Sequence, residues 1–174
     1  MNKMFTTQLT GLFQRLSTEE NAFLMEDAAR LLAQAPVGQG SIYIYGEQEL
    51  KAVSAEALYG VEPLQTAKEL SEDKLEEITH ADRVWLFSRS SQDPAVQRFI
   101  SAFTEADIPF VLVANKDTDE EAVPIGNVFI DLKVAKGLLP DEFGNRFGFP
   151  TGIASLFIYH HIHFLIREFL EEEL

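Results

Sequence analysis

Two uninterrupted apolar runs, Val84-Trp85-Leu86-Phe87 and Phe110-Val111-Leu112-Val113-Ala114, limit the possible folds of this chain more than any other feature. Each is short, and each is rich in β-branched or aromatic side chains, as strands are. A strand that is apolar at successive positions has both faces covered, which is the habit of parallel sheets flanked by helices. Ser41-Ile42-Tyr43-Ile44-Tyr45 reads as another strand landing on Gly46, and Asn127 to Leu132 as the last one. An irregular stretch after Pro63 leaves room for a minor strand.

Helical segments separate these runs. Phe5, Leu9, Leu12, Phe13 and Leu16 share one face of a first helix. Ser17 and Glu20 read as a capping box for a second helix, with Ala22, Met25, Ala29 and Leu32 inward and an end before Pro36. Glu47 to Leu58 and the acidic segment Glu72 to His80 are also helix-like. Asp93 and Pro94 open another helix as N-cap and first residue, with Val96, Phe99, Ile100 and Phe103 on one face. Leu138 to Pro150 reads as a loop, and a long helix from Thr151 to Glu173 closes the chain. Alternating strands and helices connect by right-handed crossovers. The expected architecture is one domain over residues 1–174: a three-layer α/β/α sandwich with a mainly parallel, flavodoxin-like sheet.

Charge narrows the partners. The 14 Lys and Arg against 28 Asp and Glu give a net charge of −14, which repels nucleic acid and anionic lipid. A small anion needs a local pocket that opposes this field. The chain has no cysteine, so disulfides and thiolate chemistry are excluded. No apolar run is long enough to span a bilayer and Met1 to Phe5 does not open a secretory signal, so the expected location is cytoplasmic, away from membranes.

In parallel sheets, ligands gather beyond the carboxyl ends of the strands. Two loops meet that condition: Gly46 to Leu50, and Ser88 to Asp93. The second offers the Ser88, Ser90 and Ser91 hydroxyls and the Arg89 guanidinium, all donors suited to an oxyanion. A serine-rich turn that only caps a helix is the alternative. Arg146, in the glycine loop before the closing helix, is a further cation; its alternative is a surface arginine stacked on Phe147.

The run Asp82 to Asp93, the two leading helices, the strand ending at Gly46 and the closing helix together resemble the sugar isomerase (SIS) domain, most nearly its phosphoheptose isomerase branch. The resemblance implies a small sugar-phosphate ligand, a homodimer or homotetramer, and contacts from Gly46, Ser88, Arg89, Ser90, Ser91 and Arg146. The face of Phe5, Leu9, Leu12 and Phe13 is then a subunit contact. The run His161 to Glu168 is similar to the family's closing helix and places His161 at its catalytic histidine. Glu56, where the family has a helix-borne histidine, is the companion base for aldose–ketose isomerisation. The sequence departs from the pattern at Leu50 for a serine, Gly60 for the catalytic glutamate, Ser91 for a glycine, and Asp93 for a hydroxyl residue. A non-catalytic sensor of a sugar phosphate or nucleotide-sugar is the second reading.

No cofactor is expected. Zinc has two candidate ligands in His161 and Glu56, short of the three a catalytic site wants. His160 and His163 are expected to share a helix face away from His161, with Ile153, Phe157 and Phe164 on the His160 side. The acidic runs Asp117 to Glu121 and Glu171 to Glu173 read as solvated faces.

Overall fold

Alternate residues of the two apolar runs point to opposite layers, and each layer has its own helices. The computed structural model describes residues 1–119 and 121–172. Its helices are α1 (Asn2–Leu16), α2 (Glu19–Val37), α3 (Lys51–Tyr59), α4 (Pro94–Glu105) and α5 (Thr151–Glu172). Its strands are β1 (Ile42–Gly46), β2 (Ala67–Glu69), β3 (Arg83–Ser90), β4 (Phe110–Asn115), β5 (Val128–Asp131), β6 (Leu139–Pro140) and β7 (Arg146–Phe147). Five strands form one parallel sheet in the order β2-β1-β3-β4-β5.

Trp85 and Phe87 of β3 and Val111 and Val113 of β4 lie in a core shared with α1, α2, α3 and α5. Val84, Leu86, Phe110 and Leu112 face the other way, against Val96, Phe99 and Phe103 of α4. Full burial of such side chains contributes roughly 1.5–3 kcal/mol each. That burial on both faces explains why the strands carry no alternating pattern. Among the described residues, no helix is long and apolar enough to cross a membrane.

Local details differ from the sequence expectations. Thr18, not Ser17, caps α2, accepting from Asn21 N, while the Ser17 hydroxyl donates to the Phe13 carbonyl. Two adjacent hydroxyls compete for the cap, and the backbone turns extended only at Thr18. Helix α2 also runs through Pro36 to Val37. Glu72–Glu77 forms 3-10 turns instead of an α-helix; Leu75 and, just past the turns, Ile78 face inward, and two contacts are too few to hold a longer helix in place. Asn127 to Leu132 does not hold the last strand, because Leu139–Pro140 and Arg146–Phe147 pair antiparallel within the segment expected to be loop. Of the proposed subunit face, Leu12 is buried and Phe13 stacks on Phe157 of α5, with ring centroids 4.4 Å apart. That part of the face is spent within the chain. The expected helix end at Glu173 and the Glu120 part of the acidic run lie outside the described residues.

Candidate functional site

The strand order reverses direction between β1 and β3, which opens a crevice beyond their carboxyl ends. The loops on its two sides are Gly46 to Leu50 and Ser88 to Asp93, both singled out from sequence. Gly46 is there because nothing larger fits. A Cβ at this position would stand 2.0 Å from the Leu50 carbonyl oxygen, so the chain folds back tightly into a 3-10 turn over Gln48–Leu50. Leu50 is fully buried beneath it.

On the other side, the pairing of β3 with β4 is regular to Phe87↔Val113, breaks, and resumes at Ser90↔Asn115. Such an irregularity re-aims side chains at a strand end. Ser88 turns into the core and Arg89 turns out. Asn115 braces the bend: its side-chain amide donates to the Arg89 carbonyl at 2.7 Å, and its backbone carbonyl accepts from Ser91 N. Asp93 caps α4 through Ala95 N at 3.0 Å, and Pro94 follows at the first helical position, both as expected.

The donors of this crevice already have partners. Arg89 reaches across to Glu49, with Nε 2.8 Å from both carboxylate oxygens and a second guanidinium nitrogen 2.7 Å from one of them. The hydrogen bond from Arg89 holds the Glu49 carboxyl below its ordinary range, and Glu49 raises the guanidinium in return. The Ser90 hydroxyl donates to Asp117 and accepts from Gln92 N. Ser88 and Ser91 do not offer hydroxyls to a ligand. Both are at most 1% exposed, and the Ser91 hydroxyl oxygen has no hydrogen-bond partner among the described residues.

The closing helix separates the two proposed catalytic residues. His161 is exposed, packs its ring on Phe157 at 4.4 Å, and sets Nδ1 3.0 Å from the Phe157 carbonyl oxygen. Phe157 therefore belongs to the His161 side, one turn back, and not to the His160 side. Glu56 makes no hydrogen bond to His161. Its carboxylate lies over Gly60, where a Cβ would meet it at 2.6 Å, and its charge acts on Tyr159 and His163.

Tyr159 and His163, four residues apart, form the group that the sequence reading missed. The tyrosine hydroxyl is 3.4 Å from His163 Nδ1, and burial pushes the phenol well above its usual range. Burial, then the neighbouring His160, lowers the His163 imidazole from its usual value, which favours its neutral form. His163 also borders a groove of about 410 Å³ with Glu62, Phe164 and Arg167. The i, i+4 spacing was the available signal, but it needed Glu56 beside it to carry meaning.

Arg146 stands apart from the crevice and is not stacked on Phe147. Its guanidinium donates to the Gly137 and Leu138 carbonyls, each at 3.0 Å. Among the described residues, no three His, Asp or Glu side chains come together as a metal site. His161 and Glu56 do not fit zinc as a pair.

The family model described as "Domain of unknown function (DUF2529)" matches residues 1–170. The "Uncharacterized protein YwjG" of Bacillus subtilis (strain 168) is 39% identical over 173 residues, 99% of each chain. Among solved structures, phosphoheptose isomerase GmhA from Neisseria gonorrhoeae aligns over 93% of this chain and 94% of its own, with a TM-score of 0.65 at 15% identity. A phosphoheptose isomerase from Francisella tularensis covers 96% of both chains, with a TM-score of 0.65 at 11% identity. The Vibrio vulnificus NanR protein complexed with ManNAc-6P covers 99% of this chain and 64% of its own, with a TM-score of 0.64 at 15% identity. At these identities the likeness is one of fold, and the fold is that of sugar isomerase domains.

Proposed function

We propose that this chain, which belongs to the DUF2529 family, binds a small sugar phosphate in the crevice between β1 and β3. One observation carries the reading: Arg89 spans the crevice and already grips a carboxylate with two parallel bonds. The same planar fork recognises phosphate. Both Arg89 and Glu49 are well exposed, at 55% and 40%, so their pairing is weak and exchangeable. An entering phosphate takes Arg89 from Glu49, and Ser90 turns its hydroxyl from Asp117 to the ligand. Gly46 keeps the opposite loop low enough to admit the sugar. Ser88, Ser91 and Arg146 are left out, because two are buried and the third is bound elsewhere.

The ligand class rests on the shared fold and on the neighbour described in complex with ManNAc-6P. The test is calorimetry and thermal melting with sedoheptulose 7-phosphate and ManNAc-6P. Glu49→Gln is expected to tighten binding several-fold by removing the competing carboxylate, and Arg89→Ala to abolish it. Absence of any sugar-phosphate response in both wild type and Glu49→Gln overturns the reading.

A second reading, aldose–ketose isomerisation, is supported by the Glu56 carboxylate lying over Gly60 beside Tyr159 and His163. From a ketose such as sedoheptulose 7-phosphate, isomerisation moves one proton from C1 to C2 and another from the C1 hydroxyl to the C2 oxygen. Glu56 would carry the carbon-bound proton, and neutral His163, instead of His161, the oxygen-bound one. Turnover of sedoheptulose 7-phosphate that disappears in Glu56→Gln and survives His161→Ala supports this assignment. No turnover by the wild type ends it.

A further inference from the structure

Away from the crevice, the segment after β5 folds against α1 and encloses a cavity of about 380 Å³. This is within the roughly 300–1,000 Å³ of small-molecule sites. Arg15 from α1, Lys133 and Lys136 from the segment after β5, and Arg146 from β7 all line it. Gln8 adds an amide, and the rest of the wall is apolar or glycine, with no carboxylate. The cavity thus gathers four of the chain's 14 basic residues in a molecule of net charge −14.

Ion pairs do not offset the charge of this cluster. Every ion pair among the described residues uses Arg30, Arg89, Arg98 or Arg167. None uses the four cations of the cavity. In a chain with twice as many acids as bases, leaving four neighbouring cations without a carboxylate concentrates positive potential where the overall field is negative.

The backbone around them is fixed. Lys133 sits in the left-handed region at φ +55°, held by its N–H on Asp131 at 3.0 Å. Arg146 ties its Nε and one terminal nitrogen to the Gly137 and Leu138 carbonyls. A Cβ on Gly137 would come within 2.3 Å of the Phe147 carbonyl oxygen, so that segment lies directly on β7. Pro150, the residue before α5, completes the wall.

We propose that this cavity is a second ligand site, for a compact phosphorylated metabolite carrying two or more negative charges. It is separate from the crevice, lying beyond edge strand β5, two strand positions from β3 and so about 10 Å across the sheet. The chain's overall acidity disfavours nucleic acid as the occupant, because an extended polyanion reaches past the cavity into the field of a molecule of net charge −14.

Calorimetry and thermal melting of the full chain with sodium pyrophosphate in low-salt buffer test the site, against sodium chloride at matched ionic strength. The expected result is saturable binding that weakens about tenfold or more in Arg15→Gln/Lys136→Gln, both exposed positions that tolerate the change. Lys136→Gln alone is expected to show a smaller loss. Arg98→Gln, a surface cation elsewhere, and Arg89→Ala are both expected to bind as wild type. Three results overturn the proposal: no saturable binding, equal affinity in the double variant, or loss of binding in Arg89→Ala. The last would place pyrophosphate in the crevice, so this site and the sugar-phosphate reading fail separately.

Discussion

Two places on this protein offer positive charge to an anion, one cation in the first and four in the second, and they treat it in opposite ways. In the crevice between β1 and β3, Arg89 is neutralised by Glu49 and Ser90 is engaged by Asp117. In the cavity between α1 and the segment after β5, Arg15, Lys133, Lys136 and Arg146 have no carboxylate among the lining residues. Both are built on a glycine pressed against backbone, Gly46 on Leu50 and Gly137 on Phe147. The scaffolds are alike and the charges are not. An anion entering the crevice must displace an internal competitor, which favours selectivity over affinity. In the cavity no competitor stands in the way, and the self-repulsion of the cations is relieved on binding.

The largest effects expected test the shared scaffold. Gly46→Ala and Gly137→Ala each force a methyl group onto a carbonyl oxygen, at 2.0 Å and 2.3 Å. Each is expected to cost about 2–4 kcal/mol in urea denaturation. Gly152→Ala is the control: its Cβ meets nothing, it lies in the first turn of α5, and it is expected to be neutral or to stabilise by about 0.5 kcal/mol. If Gly46→Ala or Gly137→Ala behaves like the control, that loop is not held as described. A smaller effect tests the charges directly. Gln8→Glu gives the cavity the internal carboxylate that the crevice has. In low salt it is expected to raise stability by about 0.5 kcal/mol without added anion. The same change should weaken pyrophosphate binding, so the two measurements must move in opposite directions. Parallel movement breaks the contrast.

Much of the scaffold was legible in sequence. The runs at Val84 and Phe110 had to be doubly buried strands, and Asp93-Pro94 had to start a helix, because each signal is local. The crevice loops followed from where those strands end. The partners within the crevice did not. Glu49 comes from 40 residues before Arg89, and Asp117 from 27 residues after Ser90. No spacing rule links residues brought together only by sheet order. The burial of Ser88 was hidden for a similar reason, since the break in pairing after Phe87 decides which serine turns inward. For the histidines, the four-residue spacing of Tyr159 and His163 went unused, because only the packing of α3 on α5 puts the Glu56 carboxylate beside them and leaves His161 outside. The cavity was the least legible. Arg15 and Arg146 are more than a hundred positions apart, and only the placement of α1 near β6 joins them.

The smallest effect expected concerns acid. Because Arg89 lowers the Glu49 carboxyl in the folded chain, the unfolded state takes up this proton first as pH falls. The contribution of the pair is therefore complete above the unfolded carboxylate range and is lost as pH falls through the lower folded value. In Glu49→Gln this part of the acid dependence should disappear, while stability at pH 7 changes little, since both side chains are exposed to solvent and salt. The comparison is made by urea titrations of wild type and Glu49→Gln at pH 7 and at pH 3. A small gap between the two proteins at pH 7 that narrows at pH 3 is the expected result. A gap that persists in acid would mean that Glu49 holds its loop by packing, leaving Arg89 free for an anion without competition.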